Sequence, residues 1–303
     1  MRKIKLSDYC VEAMARARRE REAAYNLARR EHEKIASQVW TDRDESFTRF
    51  LKATNEGRIF SAAGNLCHWA FKWATPIAKE PKEPGDGIEA RKFEAGIVGE
   101  QVVLDHVEAQ LDSSVLRVYL DEDCCDYDFP GDTSVAISGY KNQKGEIDLL
   151  LMTPWGLAAL EVKNFQGMVY NHGTNWFRDK YDRSGFVFQS GVPIADRGGR
   201  GPARQLCEPV EVLQRFLASR GHVIPIRRAI VLAHPQSCVG AIEFGFDPIN
   251  LVSHVGQLDV IKLCDIDSNP RKPCYTDGEI NVIVELIEQD HQFHASRQSR
   301  QVN

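Results

Sequence analysis

Gly145-Glu-Ile-Asp-Leu-Leu-Leu-Met-Thr-Pro-Trp-Gly-Leu-Ala-Ala-Leu-Glu-Val-Lys-Asn164 is the stretch whose reading decides the fold. Two apolar runs, Ile147–Met152 and Leu157–Val162, flank Thr153-Pro154-Trp155-Gly156. Proline presets the turn backbone and glycine admits positive φ, so the segment reads as a β-hairpin. A turn centred on Pro154-Trp155 makes opposing residue numbers sum to about 309. Asp148 then faces Glu161 and Glu146 faces Lys163, with opposed Cβ atoms about 5 Å apart on one face. Two opposed carboxylates on apolar strands repel each other and lose hydration. A divalent cation between them removes both objections, since Mg²⁺ takes carboxylate oxygens at about 2.1 Å. Lys163, two residues beyond Glu161, points to the same side and can serve an anionic oxygen. Charged residues at strand ends ordinarily form a solvated rim, and a register slip of one residue would separate the acids.

Composition narrows the class. The chain has 303 residues, enough for one large domain or a domain with an appendage. No run of about 18 apolar residues exists, so no membrane span is expected. Met1-Arg-Lys-Ile-Lys-Leu-Ser-Asp8 lacks the apolar core of a secretion signal, and the chain reads as cytoplasmic. Eight scattered cysteines form no Cys-x-x-Cys pair, which argues against zinc, and a reducing compartment disfavours disulfides. A net charge of −5 does not advertise a nucleic-acid binder, although phosphate contacts are local.

Residues 7–40 read as one long polar helix, with Ser7 as N-cap and Asp8 in the first turn. Its apolar seam (Val11, Met14, Tyr25, Ile35, Val39) is too thin for a core face, so it crosses solvent or lends that seam to a partner. The Arg16–Arg21 cluster reads as a solvated face before it reads as a phosphate contact. Helical character continues over 41–74, whose Leu66, Trp69, Phe71 and Trp73 are expected to pack on the main domain. Residues 1–74 are thus a helical arm. Residues 75–87, with three prolines and two glycines, are a linker, and 88–293 are the main domain with a frayed tail over 294–303.

The main domain opens with a helix over 88–111, with Gly96 and Gly99 inside it at a propensity cost of about 1 kcal/mol each. Glu100 beside them reads, alone, as a solvent-facing glutamate. Val115–Leu120 is expected as a strand and Asp121–Asp132 as an acidic loop. After the hairpin, Gly167–Tyr170 and Phe186–Phe188 are expected to extend the same sheet. Between Arg178 and Arg204 glycine and arginine are frequent. Gly198-Gly-Arg-Gly201 suits close approach to a phosphate backbone and equally a solvated loop, with Arg178, Arg197, Arg200 and Arg204 the candidate contacts. Pro202 starts a helix ending at Gly221. A strand at Arg228–Ala233, a shorter one within Val252–Cys264 and a helix over Gly278–Gln289 complete a mixed α/β sheet flanked by helices.

Four segments in order, Phe93-Glu-Ala-Gly-Ile-Val-Gly-Glu100, Gly145-Glu-Ile-Asp148, Leu160-Glu-Val-Lys-Asn164 and Gly201-Pro-Ala-Arg-Gln205, resemble the successive motifs of the nuclease-related domain (NERD) family. That family falls in the PD-(D/E)xK restriction-endonuclease-like superfamily, and the resemblance spans about 90–235. It implies an αβββαβ core and metal-dependent phosphodiester hydrolysis. It suggests Asp148 and Glu161 as Mg²⁺ or Mn²⁺ ligands, Glu100 completing the site, and Lys163 positioning or activating the attacking water. Gln205 would support the site or contact substrate. Ile147 stands where the superfamily's proline would precede Asp148. DNA is the expected substrate before RNA, a homodimer or partner protein is expected through the N-terminal helix, and genome defence is a guess from the superfamily's habits. Two rivals remain: a catalytically silent nuclease-like fold that only binds nucleic acid or a partner, and a structural subunit of a larger complex.

Overall fold

The β-hairpin at the centre of the chain forms because its two strands are almost wholly apolar. In a computed structural model describing residues 1–7, 9–74, 88–111, 133–182, 184–264 and 274–301, every residue of Leu149–Thr153 and Leu157–Val162 is buried. Strand β3 (Gly145–Thr153) runs antiparallel to β4 (Gly156–Lys163), with Thr153↔Gly156 through Leu149↔Leu160 in register. Those pairs sum to 309. Thr153 closes the turn: its hydroxyl accepts from the amides of Trp155 and Gly156 at 3.3 and 3.2 Å.

Six strands make the main sheet. Taking β1 (Arg2–Lys5), β2 (Val135–Asn142), β8 (Ile226–Leu232) and β10 (Leu251–His254), the order is β1-β2-β3-β4-β8-β10. The β2-β3-β4 meander is antiparallel; β1, β8 and β10 join in parallel. Sheets carrying parallel strands are covered on both faces. Here α3 (Ile88–Gln110) lays Val103 and Val107, followed by Leu111, on one face, with segment 255–264 beside them. The other face takes Leu206, Val210, Leu213 and Leu217 of α4 (Pro202–Ser219) and Ile280, Ile283, Val284 and Ile287 of the C-terminal helix Asp277–Gln301.

A second sheet, ordered β7-β6-β5-β9, is formed by β5 (Gly167–His172), β6 (Asn175–Tyr181), β7 (Val187–Pro193) and β9 (Ser237–Val239). It leaves the main sheet directly after β4 and returns after β8, so it is rooted at the C-terminal ends of both strands. Trp176, buried at 4% exposure, pins it to α4: a Cβ on Gly201 would stand 2.7 Å from the indole.

By contacts the chain divides into Met1–Glu12 with Lys92–Asn303, and Ala13–Arg91. In the second unit, helix α1 (Tyr9–Asn55) turns back through α2 (Ile59–Ala74). Phe47 packs on Trp69 at 5.4 Å, and Arg43 donates to the Lys72 carbonyl. Among the described residues no helix is long and apolar enough to cross a membrane.

The structure corrects several expectations. Residues 2–5 are not part of a helical arm but a strand on the edge of the main sheet; alternation of Lys and Arg with a single Ile hides such an edge strand. The Ser7 hydroxyl donates to the Gly139 carbonyl at 2.7 Å, which ties the start of the chain to β2. Residues 167–170 and 187–188 join the second sheet rather than extending the first, because β5 pairs with β9, far along the chain. Strand β2, not anticipated, is the first of the meander. The C-terminal helix continues to Gln301, past the fraying point expected at 294. The expected strand at 115–120, the acidic loop and the 75–87 linker lie outside the described residues.

Candidate active site

The β3–β4 ladder ends at Leu149↔Leu160, and the next two residues in that register are Asp148 and Glu161. Asp148 Oδ2 accepts the Val162 amide proton at 2.7 Å, so a side chain takes the place of further ladder bonding. The ladder does not reach Glu146 and Lys163, so the expected pairing of those two is not made; on their outer sides Glu146 pairs with Lys141 of β2 and Lys163 with Leu232 of β8. The carboxylate of Glu161 is buried at 3% exposure and forms an ion pair with the Lys163 ammonium. Lys163 Nζ also donates to Gln205 Oε1 at 2.9 Å.

Gln205 is held in turn. Its amide donates to the Arg200 carbonyl at 2.6 Å, and Asp196 fixes the loop around it by accepting from the amides of Gly198 and Arg200, both at 2.9 Å. Arg200 closes the clasp with contacts to Asp196, Glu208 and the Lys144 carbonyl. Glu161, Lys163 and Gln205 are therefore joined by direct contacts, and Asp148 lies close enough for its charge to act on Glu161 and Lys163.

The electrostatics follow from burial. Burial pushes the Glu161 carboxyl up, and the charge of Asp148 pushes it further, against the pull of Lys163. Asp148 is likewise raised by burial. For Lys163 burial acts downward, yet the two carboxylates outweigh it and the ammonium is held more firmly than usual. The group is thus two acids and one cation, short of cation by one charge. Its donors are hard oxygens of the kind Mg²⁺ and Mn²⁺ take, and Mg²⁺ commonly uses only one or two carboxylates, keeping water or phosphate in its other positions. In donor type the residues fit such an ion.

Glu100 stands on α3 at the rim. A Cβ on Gly99 would lie 2.6 Å from Cβ of Asn164, so glycine is what lets the helix approach the end of β4, and Asn164 donates to the Ala95 carbonyl at 2.6 Å across that contact. The charge of Glu100 reaches Glu146. Among the described residues no three His, Cys, Asp or Glu side chains are arranged to hold a metal, so Glu100 is not gathered with Asp148 and Glu161 into a three-acid set.

Three residues here escaped the sequence reading as site members. Glu146, two residues before Asp148, is raised to about 8 by burial and by the charge of Asp148, and takes a hydrogen bond from Ser7 at 3.2 Å. The i, i+2 rule for strands could have flagged it. Asp196 carried no signal, since it acts through loop geometry, and Asn164 closes one of the motif segments but was given no role of its own.

The four arginines separate. Arg200 is committed to the clasp. Arg204 pairs with Glu208 at 2.8 Å on an exposed surface. Arg178 lies over the Phe165 ring at 4.7 Å, and burial lowers its pKa. Arg197 is exposed.

The antiparallel meander β2-β3-β4, with α3 and α4 beside it, carries the two acids and the lysine at its strand ends. Residues 95–233, under half of the chain, match the family described as nuclease-related domain, NERD. The matching segment runs from within α3 to just past β8. No curated protein and no solved structure matches the chain.

Proposed function

We propose that this chain is a divalent-cation-dependent nuclease that hydrolyses phosphodiester bonds, with DNA as the favoured substrate. The observation that carries the reading is the junction of Asp148, Glu161, Lys163 and Gln205 within the segment that matches the nuclease-related domain. The element order α3-β2-β3-β4-α4-β8, leaving the second sheet aside, supports a restriction-endonuclease-like αβββαβ core.

In this reading Asp148 and Glu161 hold Mg²⁺ or Mn²⁺. Bound there, the ion supplies a more acidic water and a clamp on phosphate oxygens. Lys163 adds a compact positive charge where negative charge develops on the phosphate or the attacking oxygen. Gln205 fixes the Lys163 ammonium, so that charge is in place before substrate arrives. Exposed Leu27, Ile35 and Trp40 on α1 support a partner for the arm, such as a second copy.

A second reading has its own observation. The ion pair of Lys163 with buried Glu161 gives both side chains a structural role, as a silent nuclease-like binder would use them. Incubation with plasmid, linear duplex, single-stranded DNA and RNA in Mg²⁺, Mn²⁺ or EDTA decides between them. The nuclease reading expects cleavage that EDTA abolishes and that Asp148→Ala and Lys163→Ala reduce by about 10³-fold or more while circular dichroism stays unchanged. Full activity in both variants removes it.

A further inference from the structure

Beyond the acids, the root of the second sheet holds a groove of about 530 Å³ lined by Gln166, Tyr181, Asp182, Phe188 and Gln236. Two of its residues follow closely, in the chain, the strand ends that carry the candidate active site. Gln166 lies three residues after Lys163 and Gln236 four after the end of β8, and the Gly167 amide bonded to the Gln236 carbonyl at 3.1 Å ties those two segments together.

The lining is chemically selective. It contains two aromatic rings and two carboxamides, and no cation. The Asp182 carboxylate is already used, accepting from the amides of Ser184 and Phe186 to close the β6–β7 turn at 2.8 and 3.0 Å. Neither Gln166 nor Gln236 has its side-chain amide hydrogen-bonded to another described residue. Phe188 is 63% exposed on an edge strand, a large ring left in water with Phe186 and Val187 exposed beside it. A groove with an acid and no base repels a phosphate. A flat, neutral, hydrogen-bonding ring suits it: rings stack on Tyr and Phe, and carboxamides read the donors and acceptors of a base edge.

We propose that this groove is a subsite for one unstacked base of a single-stranded nucleic acid. The substrate strand would pass its phosphate backbone by Lys163 and turn a neighbouring base between Tyr181 and Phe188. This deepens the nuclease reading and rests on it only for the identity of the strand's other contacts. It makes the preferred substrate a single strand, a frayed end or a flap rather than intact duplex.

The test is binding, in EDTA, of a single-stranded oligonucleotide carrying 2-aminopurine, whose fluorescence falls when it stacks. Wild type is expected to quench the probe and to bind it more tightly than the matching duplex. The double variant Tyr181→Leu/Phe188→Leu keeps apolar bulk but removes both rings. It is expected to lose the quench and about 10-fold or more in affinity, while Tyr181→Phe retains both. Phe188 is exposed, so its replacement leaves the core intact. Unchanged affinity and quench in the double variant, or wild-type binding without quench, overturns the proposal. Cleavage in Mn²⁺ is scored separately. Wild type that quenches but never cleaves sinks the nuclease reading and leaves the groove standing; cleavage with an indifferent double variant does the reverse.

Discussion

The six-stranded sheet and the four-stranded sheet are joined at two places in the chain, after β4 and after β8, and differ in how far they are covered. In β3 and β4 the apolar body is buried on both faces, while β7 is exposed along nearly its whole length. Burial gives the first sheet rigidity and a desolvated end where carboxylates repel; exposure gives the second a surface. The division suits a centre that must be held still beside a face that must meet a long, variable ligand.

The comparison breaks most visibly in stability. Leu150→Ala or Leu160→Ala, both fully buried, is expected to cost about 2–5 kcal/mol in urea unfolding. Phe186→Ala, on a residue 73% exposed, is expected to change it by no more than about 0.5 kcal/mol. Equal costs would mean that the second sheet is covered in solution, by a second copy or another partner.

A glycine pair sharpens the same contrast with a change of sign. Gly64 in α2 has nothing within 4 Å of a built Cβ, so Gly64→Ala should stabilise by about 0.5–1 kcal/mol. Gly99→Ala meets Asn164 at 2.6 Å and should destabilise by about 1–3 kcal/mol despite the same propensity gain. It should also lower cleavage by shifting the end of β4. Stabilisation by Gly99→Ala would show that α3 does not need its close approach.

Legibility in the sequence followed how local each feature is. The β3–β4 register could be read because two apolar runs flank Pro154-Trp155, and Asp148, Glu161 and Lys163 followed from it. Gln205 came from the motif resemblance. The second sheet could not be read, since its strands mix Tyr, Asn, Asp and Gln, and its place is decided by β5 pairing with β9 seventy residues on. Strand β1 is hidden for the same reason, pairing with β2 across about 130 residues. The Ser7–Glu146 bond depends on that pairing and leaves no trace in either segment alone.

Two glutamates titrate in opposite senses. Half-buried Glu146 has a folded-state pKa of about 8 against 4.5 ordinarily. Its favourable contribution is complete below about 4.5 and is lost as pH rises through about 8, at up to about 1.4 kcal/mol per pH unit. Exposed Glu243 of the second-sheet region is lowered, by the Gly173 amide and by His172, so its contribution is present at neutral pH and lost on acidification. Thermal unfolding against pH should therefore flatten above pH 5 in Glu146→Gln and below pH 5 in Glu243→Gln. A Glu146→Gln profile parallel to wild type would mean that the carboxyl is hydrated.

The smallest effect separates two arginines four residues apart. Arg204→Ala removes an exposed pair with Glu208 and should cost under about 0.5 kcal/mol, because solvent screens such pairs. Arg200→Ala removes contacts to Asp196, Glu208 and the Lys144 carbonyl, and loosens the loop whose carbonyl holds Gln205. It should cost more and reduce turnover by releasing Lys163. Salt dependence of nucleic-acid binding then tells position from contact. If Arg204 meets a phosphate, its loss lowers the slope of log K against log salt by about one. If Arg200 acts only as a clasp, its loss leaves that slope unchanged while cleavage falls, and a fall in both would place its guanidinium on the strand.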